Sequence, residues 1–215
     1  HQDFPKPLVP RWLRYEVSER MRADGIVHVP LDEQELKEIA STLKAANIDC
    51  VAVCFLHSHA FPEHEERAAE ILRKNMPDEV SIMTSSMVYP EFREYERFST
   101  TVLNAALLTV MNAYLDRLTK GVAEKGVAAE PTISQSGGGL MSATYSRRYP
   151  IRSALSGPAA GVLGAAYRAK ATNEANVITL DIGGTSADVS LLANGEPSVV
   201  HSRRLAGFPL RLPAL

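Results

Sequence analysis

The amino-acid sequence predicts an α/β fold, in which a mixed layer of strands and helices precedes a region with a long helix and a strand meander. Three observations predict this fold. An apolar run at residues 48–56 lies between two amphipathic helical stretches, as an alternation of helix and strand requires. A long helical pattern begins at residue 91. Residues 177–200 contain two apolar strands that are joined by a glycine turn and followed by a tight hairpin.

Residues 1–90 alternate between strand and helix patterns. The strand-like segments RYEVSERM and GIVHVPL are separated by Asp24-Gly25, which predicts a hairpin with a two-residue turn. LDEQELKEIASTLKAAN has helical spacing, with Asp32 near its start. The run IDCVAVCFL predicts a central strand that is buried on both faces. PEHEERAAEILRKNMP then predicts a helix and EVSIMTSSM a strand, so the alternation favours a parallel layer.

Longer helical patterns follow. The segment from Glu91 to Gly126 predicts one long helix that ends near Gly121 or Gly126. PTISQSGGGLMS predicts a short strand that leads into a glycine loop. SALSGPAAGVLGAAYRAKA predicts a helix that is capped by Ser156 and has Pro158 in its first turn. This helix directly precedes the strands of the glycine turn.

Composition and charge argue against several classes of function. The chain has 215 residues, a formal net charge of -2 and no long charged run, which argues against nucleic acid or a membrane surface as its partner. No apolar run approaches the roughly 20 residues that span a bilayer, and the N-terminus lacks a signal-peptide pattern. We therefore expect a cytoplasmic protein. Cys50 and Cys54 lie too far apart along a strand for a disulfide, so we expect reduced, buried thiols.

The segment VITLDIGGTSADVSLLANGEPSVV has the pattern of a phosphate cradle. Asp181 alternates with the isoleucines and the leucine of its strand, so its side chain projects to the face opposite theirs. Gly183 and Gly184 let backbone amides approach an anion, and Thr185 and Ser186 add hydroxyl donors. The carboxylate of Asp181 is suited to hold a divalent ion through water.

Two interpretations of this turn remain open from the residues alone. Gly-Gly is also a common two-residue hairpin turn, so a plain hairpin competes with a phosphate-binding loop. Asp188 on the next strand either orients water or metal, or accepts a hydrogen bond from a backbone amide. Asn194-Gly195 predicts a tight turn into a third strand, PSVVHS. The sequence contains neither a Walker loop nor the dinucleotide fingerprint.

The stretch LDIGGTSADVSLL resembles the second phosphate-binding loop of the actin-like ATPases, and more narrowly that of the hydantoinase A / 5-oxoprolinase family. Three other stretches resemble the same family: RYEVSERMRADGIVHVPLDE, PEFREYERFSTTVLNAAL and RSALSGPAAGVLGAA. The resemblance covers nearly the whole chain. It implies an α/β domain at residues 1–98, which is the C-terminal part of the family's N-terminal region. It also implies the first part of an actin-like (ribonuclease H-like) ATPase domain at residues 99–215.

What the resemblance implies about function is part of an ATP-dependent hydrolase. Such an enzyme opens a cyclic amide (hydantoin, N-methylhydantoin or 5-oxoproline) by phosphorylating its carbonyl oxygen. The alternatives are the ATP-using subunit of an acetone- or acetophenone-type carboxylase and a non-enzymatic actin-like nucleotide-binding module. ATP and Mg²⁺ are the implied cofactors, and a second (B-type) subunit or domain is the implied partner. The implied site residues are Asp181 and Asp188 as catalytic residues, Asp181 as the holder of Mg²⁺ through water, and Gly183, Gly184, Thr185 and Ser186 as phosphate-binding residues.

Both ends of the chain predict an internal fragment of a longer subunit. The chain begins with HQDFPKPLVPRW and stops at FPLRLPAL, inside an apolar stretch. A complete family member carries an earlier aspartate-glycine-glycine-threonine loop and a later adenosine-binding segment, and neither occurs here. The resemblance therefore implies one half of a nucleotide clamp, and we expect this fragment by itself to be inactive.

Two glycine-rich segments have interpretations beside the main motif. Gly157, Gly161 and Ala165 recur every four residues, which predicts close helix packing, since small residues let backbones approach. The loop QSGGGLMS predicts either a simple bend after a strand or a substrate loop. The resembling family more often has Asn or Asp where this chain has Gly137, so a polar contact from that position is missing.

Two charged or histidine-rich segments leave alternatives open. If the preceding strand continues, His57 and His59 share a face that can chelate a transition metal, with His64 nearby. The alternative is a polar strand end that leads into a helix cap. In REYERFSTT, Arg93 and Arg97 lie four residues apart, which predicts a solvated helix face with local ion pairs.

Overall fold

The computed structural model describes residues 6–184 and 187–215. Its mixture of helices and small sheets confirms the predicted α/β fold. The chain divides into two compact units, of which unit 1 comprises residues 1–109 and 204–211, and unit 2 comprises residues 110–203 and 212–215. The predicted domain boundary between residues 98 and 99 stays a prediction.

Unit 1 begins with a hairpin of β1 (Arg20–Met21) and β2 (Val27–Val29), which pair antiparallel. The predicted hairpin is present, but its connection is longer than the predicted two-residue turn. The amide of Arg22 donates to the carbonyl of Ile26 at 3.0 Å, and Gly25 has a φ of +81°. The hydrogen bond from residue 22 to residue 26 therefore closes the bend. The left-handed glycine lies inside this five-residue loop.

The central part of unit 1 is a parallel pair of strands flanked by helices. Strands β3 (Cys50–Val53) and β4 (Ser81–Thr84) pair in parallel, with Cys50 opposite Ser81. Helices α1 (Glu33–Ala45) and α2 (Glu63–Asn75) are the two helices that the sequence predicts, and α2 is the crossover between β3 and β4. Asp32 caps α1, since its carboxylate accepts the amides of Gln34 and Glu35 at 2.9 and 3.0 Å.

The core of unit 1 lies between these helices and the sheet. Helix α1 contributes its buried stripe of Leu36, Ala40 and Leu43. Val53 and Ile82 come from the two parallel strands, and α2 adds four apolar positions. Those positions are Ala68, Ala69, Ile71 and Leu72. β4 is shorter than predicted, because the Thr84 hydroxyl accepts the Met87 amide at 3.3 Å and starts the short helix α3 (Ser85–Val88).

The long predicted helix is α4 (Glu94–Glu124), which continues from unit 1 into unit 2. It ends at Glu124, and Gly126 follows with a φ of +74°. The helix is long and apolar enough to cross a membrane by length and composition alone. Its polar residues Arg97, Thr100 and Asn104 are fully buried within the protein, so this part of α4 packs as a core helix.

Unit 1 is completed by a hairpin of β10 (Arg203–Leu205) and β11 (Phe208–Leu210), of which Arg203 alone is assigned to unit 2. The hydroxyl of Ser99 on α4 donates to the carbonyl of Pro209 at 2.6 Å. These strands come from the end of the chain, so unit 1 is assembled from two separate segments of sequence.

Unit 2 begins with the antiparallel hairpin β5 (Thr132–Ser134) and β6 (Leu140–Ser142), followed by helix α5 (Ala143–Arg148). The predicted strand before the glycine loop is β5. Helix α5 was not predicted from the sequence, and its N-cap is Ser142, whose hydroxyl accepts the Tyr145 amide at 3.1 Å.

The remaining elements of unit 2 carry the candidate site. Helix α6 (Ser156–Thr172) has Leu155 as its N-cap, so Ser156 is its first residue and not the predicted cap. Strands β7 (Val177–Ile182), β8 (Ala187–Ala193) and β9 (Glu196–Pro197) form the predicted antiparallel meander. The third strand is shorter than predicted, and Val200 makes only an isolated bridge with Ala214.

Candidate functional site

The β7–β8 hairpin has two chemically different faces. On one face, Thr179 lies opposite Ser190 and Asp181 lies opposite Asp188 in the strand register. The predicted alternation is therefore correct, and the cross-strand pairing brings the two predicted acidic residues to the same place. At the far end of β8, Asn194 and Gly195 have φ values of +55° and +80°, as the predicted tight turn requires.

Helix α6 covers the polar face of this hairpin. An open cavity of about 250 Å³ lies between them, and its lining includes Pro158, Gly161 and Ala165 from the helix with Asp181 and Asp188 from the strands. A Cβ atom built on Gly161 would lie 3.8 Å from Oδ2 of Asp181. The Asp181 carboxylate therefore lies against the glycine of the helix.

The glycine turn follows β7. Gly183 and Gly184 are both exposed, and a Cβ on Gly184 would meet no atom within 4 Å. Both glycines therefore lie at the surface, where a ligand can approach them. Thr185 and Ser186, which were predicted to add hydroxyl donors, lie outside the described residues. The assignment of all four positions to phosphate binding stays a prediction.

The electrostatics of the cavity favour a cation. Two carboxylates directly opposite each other on adjacent strands repel, and no described residue forms a hydrogen bond or ion pair with the carboxylate of Asp181. Among residues 6–184 and 187–215, no group of three or more His, Cys, Asp or Glu side chains is arranged to hold a metal ion directly. The two carboxylates of the cavity fit a hydrated Mg²⁺, because Mg²⁺ commonly keeps several waters and uses one or two carboxylates. Asp181, with Asp188 beside it, would hold it.

The stripe of small residues on α6 faces the hairpin in part. Gly161 and Ala165 line the cavity, whereas a Cβ on Gly157 would meet no atom within 4 Å. Close approach of helix and sheet, which the spacing predicts, therefore occurs at the two positions next to the carboxylates. Gly157 is not needed for this contact.

The second glycine loop is held by packing. Ser136, before the loop, donates from its amide and its hydroxyl to the carbonyl of Arg152 at 2.7 and 2.8 Å. A Cβ on Gly137 would lie 3.0 Å from the carbonyl oxygen of Pro213. The structure therefore favours the bend over a substrate loop, and it explains Gly137, because a longer side chain would displace the chain at Pro213.

The histidines do not form the metal site that one interpretation predicted. β3 ends at Val53, and His57 lies in a turn with a φ of +60°, so His57 and His59 do not continue the strand. His64 pairs through Nδ1 with Oε2 of Glu19 at 2.8 Å. Nδ1 of His59 is buried and has no hydrogen-bond partner among the described residues.

The prediction of a solvated helix face is wrong for Arg97, which is fully buried in unit 1. A local ion pair is nevertheless present, between Arg93 and Glu96 at 3.1 Å. Nε of Arg97 donates to the Ser85 hydroxyl at 3.0 Å, and that hydroxyl donates to Glu65 at 2.6 Å. The buried Glu65 carboxylate also accepts the amides of Phe55 and Ser86 at 2.7 and 2.8 Å. Each charge is thereby satisfied by short hydrogen bonds, as buried charges require.

A signal for this burial exists in the sequence. Arg97, Thr101, Asn104 and Leu108 follow the spacing of one helical stripe, and all four are buried. Three of these residues are polar, so the periodicity of apolar residues does not mark the stripe. The signal is that the polar residues share one face of the helix with the apolar Leu108.

The fold and the hairpin define a mixed α/β protein with paired carboxylates and a glycine turn. The chain belongs to the hydantoinase/oxoprolinase family: that family matches residues 97–215, and its N-terminal region matches residues 1–76. The predicted family resemblance is confirmed.

Three relatives illustrate the match. A protein of Methanocaldococcus jannaschii, named only as uncharacterized, is 40% identical over 97% of this chain and 32% of its own length. Caprolactamase subunit alpha of Pseudomonas jessenii is 36% identical over 97% of this chain and 30% of its own length. The acetone carboxylase beta subunit of Xanthobacter autotrophicus is 30% identical over 98% of this chain and 29% of its own length.

Solved structures agree with the sequence relatives. The nucleotide-free structure of an ATP-dependent acetone carboxylase has a TM-score of 0.86 at 30% identity, over 99% of this chain and 30% of that chain. The ATP-dependent caprolactamase from Pseudomonas jessenii has a TM-score of 0.82 at 32% identity, over 98% of this chain and 30% of that chain. This chain therefore spans about a third of the length of each of these three relatives.

Proposed function

We propose that this chain is the phosphate-handling part of an ATP-dependent enzyme that opens cyclic amides such as hydantoin, N-methylhydantoin or 5-oxoproline. The observation that carries the proposal is the carboxylate pair of Asp181 and Asp188, which stands beside the exposed Gly183-Gly184 turn and a small cavity. Membership of the hydantoinase/oxoprolinase family supports the substrate class. Residues 99–215 are proposed as the first part of an actin-like ATPase domain, following an α/β domain at residues 1–98.

The chemistry follows from the weak electrophilicity of an amide. The carbonyl oxygen of the cyclic amide attacks the γ-phosphorus of ATP, and the bond from that phosphorus to the ADP oxygen breaks. Water then adds to the activated carbon, and the ring C–N bond breaks as the nitrogen takes up a proton, which leaves an acyl phosphate. A second water hydrolyses the acyl phosphate to a carboxylate and inorganic phosphate. A bound Mg²⁺ supplies charge neutralisation at the phosphates. The chain's own residues position the groups, a major source of catalysis in phosphoryl transfer.

Each predicted site residue has a place in this scheme. Asp181 holds the hydrated cation at the cavity, and Asp188 orients water or the cation from the neighbouring strand. The amides of Gly183 and Gly184, with the hydroxyls of Thr185 and Ser186, donate hydrogen bonds to the phosphate oxygens. We also propose a cytoplasmic location and a second, B-type subunit, since named relatives are themselves subunits.

A second candidate function is the ATP-using subunit of a ketone carboxylase. The likeness to an ATP-dependent acetone carboxylase favours it. The test uses the complete polypeptide with its partner subunit and measures ring opening of hydantoin or 5-oxoproline together with phosphate release. Ring opening coupled to phosphate release supports the first proposal. Turnover of ATP that requires a ketone and bicarbonate replaces it with the second.

The chain by itself is expected to lack significant ATPase activity and to bind ATP weakly, because it holds one half of the proposed nucleotide clamp. Isothermal titration calorimetry with ATP and Mg²⁺ measures the affinity of residues 1–215 directly. Micromolar affinity for this chain alone would contradict the half-clamp proposal, and ATP hydrolysis at the rate of a complete enzyme would do the same.

A further inference from the structure

The carboxylate of Asp181 and the backbone of Gly161 lie next to each other in unit 2. A Cβ on Gly161 would stand 3.8 Å from Oδ2 of Asp181, which is ordinary van der Waals contact. An alanine therefore fits at position 161 without displacement, but any longer side chain continues from that Cβ towards the carboxylate or the cavity. Gly161 and Asp181 are both exposed, so solvent reaches the place where they meet.

The dimensions of the cavity limit what it can take. Its volume is about 250 Å³, below the roughly 300–1,000 Å³ of pockets that enclose a drug-sized ligand. This open cavity has room for a hydrated cation with a phosphate group. A leucine side chain in such a space would remove a large part of it.

Glycine is also a costly residue in this position of a helix. Gly161 lies inside α6 (Ser156–Thr172), where glycine is less favourable than alanine by about 1 kcal/mol. Its φ is not in the left-handed region, so the backbone does not require glycine. The space beside Asp181 accepts a methyl group, so this position excludes only a side chain longer than that of alanine.

We propose that Gly161 is a positioning residue, which keeps the Asp181 carboxylate open to a hydrated divalent cation and sets the size of the cavity. This inference rests on the proposed cation site of the preceding section. Gly161 acts through Asp181, because it provides the space in which a cation and its waters meet the carboxylate. The same helix offers a matched control in Gly164, whose added Cβ would meet no atom within 4 Å.

In the experiment, the chain is titrated with Mn²⁺, and electron paramagnetic resonance measures the concentration of free Mn²⁺. Gly161→Leu is expected to weaken Mn²⁺ binding at least about tenfold, or about 1.4 kcal/mol. Gly161→Ala and Gly164→Leu are expected to bind like the parent chain. Urea denaturation of each variant checks folding, and all three substitutions are expected to leave stability unchanged or higher, since each replaces a helical glycine.

The outcomes separate this inference from the proposal beneath it. If the parent chain binds Mn²⁺, Asp181→Asn abolishes the binding and Gly161→Leu does not weaken it, the cation site stands and the role of Gly161 is wrong. If Asp181→Asn binds Mn²⁺ like the parent, or if the parent binds none, the cation site itself fails and the inference falls with it. Equal weakening by Gly164→Leu would also overturn the inference, because the effect would then belong to the helix.

Discussion

Asp181 and Asp188 are register partners on β7 and β8, so two like charges lie opposite each other on neighbouring strands. Like charges that lie directly opposite on neighbouring strands destabilise a sheet, by an amount comparable to other cross-strand pairs. The hairpin keeps this pair on the face that α6 covers, at the cavity. A cation bound at this place would reduce the repulsion between the two carboxylates and would thereby stabilise the chain.

Asp181→Asn is expected to stabilise the metal-free chain by about 0.2–1 kcal/mol, because it removes the cross-strand repulsion. The same variant is expected to lose the stabilisation that Mg²⁺ gives to the parent chain. Urea denaturation with EDTA and with Mg²⁺ measures both effects. Asp78→Asn is the control, because Asp78 is exposed in unit 1 and this substitution changes the net charge by the same amount. Lower stability of Asp181→Asn in EDTA would contradict this account.

Arg97 and Glu65 show a different use of charge, in the interior of unit 1. Both residues are fully buried, and the Ser85 hydroxyl accepts from Arg97 while it donates to Glu65. Arg97 also donates to the carbonyls of Glu91 and Phe55, each at 2.9 Å. These bonds tie the start of α4 to the chain segment after β3. Removal of one charge would leave the other buried without the opposite charge that lies across the Ser85 hydroxyl.

Arg97→Met is therefore expected to destabilise the chain by about 3–5 kcal/mol, which is typical when one partner of a buried charged pair is removed. Arg67→Met is the matched control. Arg67 pairs with Glu33 at 2.6 Å, but the two side chains are 46% and 42% exposed, so only a small loss of stability is expected, because water screens an exposed ion pair. Urea denaturation measures both losses, and equal losses would show that the buried network does not stabilise unit 1.

At the scale of elements, the parallel pair of β3 and β4 was predictable because its signal is local. A continuous apolar run between two amphipathic helices has few other solutions. The lengths of the strands were less predictable. β4 ends at Thr84 because a side-chain hydroxyl starts a helix there, and the first hairpin closes with a wider loop than Asp24-Gly25 suggests. Such details depend on single hydrogen bonds that compete with the ladder.

Strand β3 also carries a pH-dependent contribution to stability through Cys50. Burial, with the negative charge of Asp49 as a smaller cause, raises the pKa of the Cys50 thiol from 9.0 to about 12. The unfolded chain thus releases this proton at a lower pH than the folded chain. The contribution of the protonated thiol to stability is complete below pH 9.0 and is lost as the pH rises from there towards about 12.

The expected result is a fall of the urea midpoint above pH 9.0 that is smaller in Cys50→Ala than in the parent chain. The comparison of slopes is needed because lysines and tyrosines titrate in the same range. Both free cysteines are also expected to react slowly with a thiol reagent at neutral pH, since burial raises the pKa of Cys54 as well. Parallel slopes for the two proteins would exclude the Cys50 contribution.

At the scale of the whole molecule, the β7–β8 sheet leaves its second face in solvent. This outer sheet face comprises Ile178, Leu180, Ile182, Val189 and Leu191. Their exposures lie between 51% and 73%. In the described part of the chain, β7 pairs only with β8, so it is also an edge strand. An apolar face next to an open strand edge favours association between chains.

We expect the chain to associate with itself through the outer sheet face, in a concentration-dependent manner. Leu180→Thr combined with Val189→Thr is expected to increase the monomer fraction in sedimentation velocity, because this cross-strand pair lies at the centre of the face. Threonine keeps a high propensity for strands. Val110→Thr with Val199→Thr is the control, since both valines are exposed elsewhere in unit 2. An unchanged monomer fraction in the first variant would contradict this expectation.

The sequence by itself determined the family, the α/β class, the opposite faces of Asp181 and its apolar neighbours, and the turn at Asn194-Gly195. Each of these depends on chemistry within a few residues, such as strand alternation or a left-handed turn. Only the tertiary structure decided that α6 covers the polar face of the hairpin, that Gly161 lies against Asp181 and that Arg97 is buried. Alternation separates two faces but does not say which one meets a helix, because that depends on contacts between residues far apart in the chain.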